Sequence, residues 1–320
     1  MRADYDVVVL GGGAAGLSAA LTLGRARRKV LVVDDGLPRN RFAAHMHTVL
    51  GHEGLDPAEL LTRGRAEVAV YGVELAAGRA VSLTEEVSDG ETLLRVTTDQ
   101  GSVVLARAVI VATGLTDRLP EIPGLAERWG TSVLHCPYCH GWEVRDRRLA
   151  VLVSSPVGLH QAELVRQWSE RLVVFTGSTE VPPGTERRLR SRGVELVAGR
   201  VVEVLGEGPQ VTAVRTADGT VTEVDAVFTA GTAEPNDAFL APLGLARTDL
   251  PMGMGSFLAV DPTGRTSHER IWAVGNVVNP ALGVAASMGA GTTAGGMANM
   301  ALITAEFDAA ASAANADLTG

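Results

Sequence analysis

The chain of 320 residues is 46% apolar and 20% charged, a globular balance over a length that fits two domains. Its 28 basic and 37 acidic residues leave a net charge of -9, which argues against nucleic acid as the main partner. No apolar run is long enough for a membrane-spanning helix, and the start MRADYDVVVL lacks the basic-then-apolar order of a signal peptide, so a cytoplasmic protein without a membrane partner is expected.

Residues 5–10 form an apolar run closed by glycines and read as a buried parallel strand. Residues 14–27 read as a helix and 30–33 as the next buried strand. Residues 56–71 read as a helix with Asp56 as its N-cap and Pro57 in its first turn. Strand signals over 103–113 end in Ala112-Thr113-Gly114. A second β-α-β pattern starts at Leu149, with a strand over 149–153, a helix over 158–169 and a strand over 172–175. Residues 194–228 alternate between strand and Gly or Asp-Gly turn. A last strand spans 271–274, and a small-residue helix spans 281–305. The chain thus reads as an α/β protein with two Rossmann-like halves.

The first strand runs directly into Gly11-Gly12-Gly13-Ala14-Ala15-Gly16, a G-x-G-x-x-G loop, and then into a helix. Gly11 permits the tight turn, Gly13 lets a pyrophosphate approach the backbone, and Gly16 lets the helix pack on the strand. The helix N-terminus adds free N–H groups and a positive dipole end. Asp34 closes the second strand, where an acid holds a ribose hydroxyl, and Asp35 competes for that role. The alternative is a plain tight turn.

The matching place in the second half reads Val153-Ser154-Ser155-Pro156-Val157-Gly158. Val153 and Ser155 carry a Cβ where glycines are wanted, and Pro156 removes a donor. No arginine pair follows Phe175, and Arg187, Arg188 and Arg190 read as a solvated helix face. The second half therefore reads as a nucleotide fold without its phosphate cradle. A divergent but working nicotinamide site is the competing reading.

Cys136 and Cys139 are the two cysteines, in a C-x-x-C spacing. That spacing suits a redox dithiol, half a zinc site or an inert pair. Zinc wants four ligands, and His135 and His140 adjoin the cysteines too closely to share one metal, so no metal is expected.

The intact first loop, the C-x-x-C in a second nucleotide-like half and the closing Ala273-Val274-Gly275-Asn276 together resemble the low-molecular-weight thioredoxin reductases over nearly the whole chain. The resemblance implies an FAD domain over 1–116 and 245–320, with a degenerate NADPH-type domain inserted over 117–244. It implies FAD held by Gly11, Gly13, Ala14, Ala15, Gly16 and Asp34 or Asp35. It also places Ala112, Thr113, Gly114, Gly275, Asn276 and the helix start at Val284 and Ala285 on the flavin. The stretch Cys136-Pro137-Tyr138-Cys139-His140-Gly141-Trp142-Glu143 looks more like the dithiol oxidases of natural-product clusters, the gliotoxin and holomycin type. There His140 stands where the reductases carry an aspartate. Pro38-Arg39-Asn40 also looks like that branch and puts Arg39 and Asn40 against the flavin.

The resemblance implies a small dithiol substrate attacking Cys136, electrons passing through Cys139 to FAD and then to O2 with hydrogen peroxide formed, and a homodimer. His140 is the leading base and His135 the alternative. His45, His47 and His52 read first as packing or surface residues, and His160 and His268 carry no motif. Tyr138 and Trp142 are candidate pocket walls, with core packing the stronger reading for Trp142. The competing functions are an NADPH-dependent disulfide reductase acting on a small thioredoxin-like protein and a non-enzymatic flavin redox sensor.

Overall fold

In the computed structural model the described residues are 3–88 and 91–319; the ends of the expected outer domain, residues 1–2 and 320, lie outside them. The first sheet is built on parallel pairings. Tyr5–Leu10 lies between Val30–Asp34 and Val103–Val111, with Val7 opposite Val30 and Ala108. Glu74–Ala77 extends one side in parallel. On the other side, Val103–Val111 pairs antiparallel with Glu91–Thr98 along its first half and parallel with Ile271–Ala273 along its second.

Side-chain alternation along these strands divides the core. Val7, Val9, Val30 and Val32 face a layer of three helices, while Val8, Leu10, Leu31 and Val33 face the opposite side with Leu240 and Leu258. Pro57–Val70 contributes Leu61 and Val68, and the other two are Ala14–Arg25 and the C-terminal Val284–Thr319. These last two approach backbone to backbone, because a Cβ on Gly291 would overlap the Ala15 carbonyl and one on Gly295 would lie 2.8 Å from that of Ala19. Glu306 ties the long helix to Arg28 at 2.5 Å and to Arg107 at 2.6 Å.

A second, all-parallel sheet holds five strands, in the order Glu195–Val197, Leu172–Phe175, Leu149–Leu152, Ala226–Thr229, Val133–Leu134. A three-stranded antiparallel sheet, Val201–Glu207, Gln210–Thr216 and Val221–Glu223, packs Val204, Val211 and Val214 against its Ala150 and Leu152 face. The chain leaves the first sheet and returns to it through a two-stranded antiparallel ribbon, Leu115–Arg118 with Thr232–Pro235. The 3-10 helix Ala238–Leu243 already packs on the first core through Leu240, so the return lies ahead of residue 244.

Several element ends differ from expectation. The first helix stops at Arg25, and Arg27 takes a left-handed φ of 64°. The helix of the second half spans Pro156–Val165, since proline suits its first turn. The last helix runs on to Thr319, which its alanine-rich end favours. The strands over 74–98 carry no expectation from the sequence. Among the described residues, no helix is long and apolar enough to cross a membrane.

Candidate redox site and cofactor cradle

The glycine loop is shaped by contacts that exclude side chains. Gly11 has a φ of +103°, and a Cβ there would overlap the Ala112 carbonyl. A Cβ on Gly16 would overlap the Gly11 carbonyl. Gly13 differs: nothing lies within 4 Å of where its Cβ would stand, so no protein contact requires glycine there. The space beside its backbone is open to an approaching phosphate. Gly13 is also the N-cap of Ala14–Arg25 and offers no side-chain cap, so the first-turn N–H groups of Ala14, Ala15 and Gly16 suit a phosphate. Thr113 Oγ1 is buried without a partner among the described residues. These features fit the pyrophosphate and ribityl part of FAD.

Asp34 and Asp35 separate clearly. Asp34 Oδ1 accepts the Gly12 N–H at 3.0 Å, and its Oδ2 takes Arg65 Nη2 at 3.0 Å. Asp35 instead accepts the Leu37 N–H and pairs with Arg79, away from the loop. Gly275 has a φ of +76°, and its Cβ would lie 3.1 Å from Ala15 Cβ, which brings the closing motif onto the start of the first helix. Asn276 Nδ2 donates to the carbonyls of Asn279 and Leu282 at 3.0 Å each, which holds the loop that leads to Val284. Its Oδ1 has no hydrogen bond among the described residues. Val284 is half-buried and Ala285 exposed at the helix start.

Arg39 makes a bidentate pair with Asp117 at 2.7 Å for both contacts and donates to the Pro280 carbonyl at 2.8 Å. Three segments thus meet at one guanidinium: the 38–40 loop, the ribbon and the turn before the last helix. Asn40 carries no side-chain hydrogen bond among the described residues, and its carbonyl accepts the Ala43 N–H.

Cys136 and Cys139 are joined as a disulfide across the short helix Pro137–His140. Cys136 is the N-cap, and its Sγ accepts the Cys139 N–H at 3.2 Å. His135 has its carbonyl bonded by Gln161 Nε2 at 2.5 Å, and its Nδ1 is buried without a partner among the described residues. Burial first, then the Arg39 charge, pushes the His135 pKa down, against the opposing pull of Asp117. His140 is also pushed down by burial; Glu143 opposes this and His47 adds to it.

Trp142 is a correction to the packing expectation. It is 65% exposed, with the Arg145 guanidinium 4.0 Å from its ring, because the turn after the redox helix carries it away from the core. Tyr138 is equally exposed and edge-stacked on Trp168 at 5.5 Å. His45 bonds the Gly54 carbonyl, His268 bonds Glu85, and His160 is exposed. Sequence reasoning missed Arg65, Asp117 and Glu53, which carry no motif, and gave no role to Glu143 at the end of the 136–143 stretch; all four become visible through their partners.

In the second half, Val153 is buried in the core of the parallel sheet, and a Cβ on Gly158 would lie 3.0 Å from Val153 Cα. Ser154 Oγ donates to the Ala230 carbonyl at 3.0 Å. Val153 and Ser155 thus carry side chains at the positions where the first loop has Gly11 and Gly13. A model of the pyridine nucleotide-disulphide oxidoreductases matches residues 5–294.

The chain belongs to the pyridine nucleotide-disulphide oxidoreductase family.

Its thioredoxin reductase-like members are flavin-dependent disulfide oxidoreductases that hold FAD, and the glycine cradle described above fits that cofactor. The fold is similar to the crystal structure of HlmI, with a TM-score of 0.92 and 41% identity over 98% of this chain and 97% of that one. It is also similar to an oxidoreductase from Agrobacterium tumefaciens, with a TM-score of 0.86 and 37% identity over 94% and 99% of the two chains. Thioredoxin reductase tcpT of Claviceps purpurea is 32% identical over 225 residues, 66% of this chain and 62% of that protein. Thioredoxin reductase sirT of Leptosphaeria maculans is 33% identical, over 53% of this chain and 55% of that protein. The chain spans about half the length of sirT, of aclD of Aspergillus oryzae and of a probable thioredoxin reductase of Arthroderma benhamiae.

Proposed function

We propose that the chain is an FAD-dependent dithiol oxidase that closes an intramolecular disulfide in a small natural-product dithiol, works as a homodimer and returns the electrons to O2 as hydrogen peroxide. The observation that carries this reading is Val153: it is buried where a nicotinamide cofactor would need an open glycine loop, beside a fold that keeps its redox disulfide. The likeness in fold and sequence to HlmI supports it.

A substrate thiolate attacks Cys136 Sγ and breaks the bond to Cys139, which leaves as a thiolate. The second substrate thiol then attacks the substrate sulfur of the mixed disulfide and displaces Cys136. One substrate disulfide has formed, one protein disulfide has broken, and the two substrate protons end on the two cysteines. The Cys139 N–H stabilises the departing Cys136 thiolate, which makes Cys136 the better group to leave in the second step. His140, kept neutral by burial, takes the proton of the attacking thiol and returns it to the cysteine that leaves. FAD, which the glycine loop over 11–16 and Asp34 would hold, would supply the acceptor for the electron pair of the reduced cysteines and the route from there to O2.

The test is an anaerobic titration of the purified protein with NADPH and, separately, with a dithiol. The dithiol should bleach the flavin and NADPH should not. Rapid bleaching by micromolar NADPH sinks the oxidase and establishes the runner-up, an NADPH-dependent thioredoxin-type disulfide reductase. Light scattering of the same sample reads the dimer.

A further inference from the structure

His47, which the proposed mechanism does not use, sits between two carboxylates. Its Nδ1 lies 2.6 Å from Glu53 Oε1, and its Nε2 lies 3.5 Å from Glu143 Oε1. Glu53 belongs to the same loop of the outer domain. Glu143 follows the redox helix, three positions beyond His140. The His47 side chain is 18% exposed, whereas Glu53 is 65% exposed. Thr48 has a φ of +64°, a costly conformation for a β-branched residue, and its N–H donates to Glu53 Oε2 at 2.9 Å. Glu53 therefore grips both the imidazole and the strained peptide beside it, and orients His47 toward the redox segment.

We propose that His47 is a positioning residue for the proton acceptor His140: anchored by Glu53, it reaches Glu143 across the gap between the outer loop and the redox segment and sets, with Glu143, the pH at which His140 works. This rests on the reading of His140 as the base. Among the described residues, the charged and titratable groups that act on His140 are Glu143 and His47, and His140 in turn acts on His135. The two partners pull in opposite directions. Glu143 favours the protonated imidazole of His140, and a cationic His47 disfavours it. A proton taken from a substrate thiol thus meets a charge environment that the 45–53 loop controls.

The experiment compares His47→Asn and Glu143→Gln with the parent holoenzyme. Asparagine keeps a donor toward Glu53 and removes the charge, and Glu143 is exposed enough that its amide leaves folding intact. The His140 titration is followed by NMR in histidine-labelled protein, assigned with a His140→Asn sample, and the pH profile of flavin reduction by dithiothreitol is recorded beside it. The His140 midpoint should rise in His47→Asn and fall in Glu143→Gln, by a few tenths of a pH unit because partial exposure screens both charges. The acid limb of the rate should move the same way in each. A merely structural role does not move the two variants in opposite senses. Midpoints that stay fixed, or that move together, overturn the bridge. Midpoints that move as expected while the rate limb stays in place overturn His140 as the base, and with it the catalytic meaning of the bridge.

Discussion

Gly12 and Asp34 hold each other in place: the Gly12 N–H donates to Asp34 Oδ1 at 3.0 Å, and a Cβ on Gly12 would lie 2.7 Å from Asp34 Cγ. The middle glycine of the loop is required by the acid, and the acid is turned by the glycine. Arg65 holds the other oxygen, so Asp34 has little room to yield.

Gly12→Ala should therefore force Asp34 aside and destabilise the fold by about 1–3 kcal/mol, as overpacking does. Gly13→Ala makes the complementary case, since no protein atom stands within 4 Å of its new methyl. It should leave the melting temperature of the FAD-free protein unchanged and reduce the flavin retained on purification. Full flavin occupancy in Gly13→Ala would refute the cradle as drawn.

The two cysteines should differ once reduced. Cys136 Sγ accepts a backbone N–H at the start of its helix, which favours its thiolate, whereas among the described residues Cys139 Sγ accepts none. Iodoacetamide at neutral pH should label Cys136 several-fold faster than Cys139, read by peptide mass spectrometry. Equal labelling, or faster labelling at Cys139, reverses the order of the two sulfurs in the proposed exchange.

His140→Ala should slow dithiol-dependent flavin reduction at neutral pH by at least about tenfold, the low side of what a well-placed base contributes. Because a free thiol has a pKa of about 8.5, raising the pH should recover part of the loss. The visible spectrum should be unchanged, since the glycine loop is untouched. Parent-like rates across the range in which histidine and thiols titrate would remove His140 from the mechanism and pass the role to His135.

His135 links this site to stability. Its folded pKa lies below the ordinary 6.5, so the folded state prefers it neutral. That contribution is fully present above about 6.5 and is lost as the pH falls through the depressed folded value. The parent should lose urea resistance on acidification from neutral pH, and His135→Gln should lose less. If both proteins lose stability in parallel, the buried imidazole is not the group being titrated.

Much of the fold is legible because it is local. The run Val7-Val8-Val9 is apolar at every position, as a strand buried on both faces must be, and the glycines that follow are read from the turn and phosphate chemistry they permit. Asp56 as an N-cap is legible for the same reason, and it accepts the Ala58 N–H at 2.7 Å. The strands over 74–98 were not legible, because their mixed polar faces are settled by sheet neighbours. Trp142 was misjudged because composition assigns an aromatic residue to the core, while the turn at Gly141, wedged against the Pro137 carbonyl and Trp168, decides where it points.

The sequence by itself determined the α/β class, the first phosphate loop, the degraded second loop and the C-x-x-C pair, since each is written in consecutive residues. The tertiary structure alone put Asp34 rather than Asp35 beside the glycine loop, gave Arg39 its partner Asp117, and set Glu53 and Glu143 on either side of His47. Those outcomes depend on which segments the two sheets and their ribbon bring together. A charge finds its partner by distance in space, and between Arg39 and Asp117 the intervening 77 residues of chain carry no local sign of it.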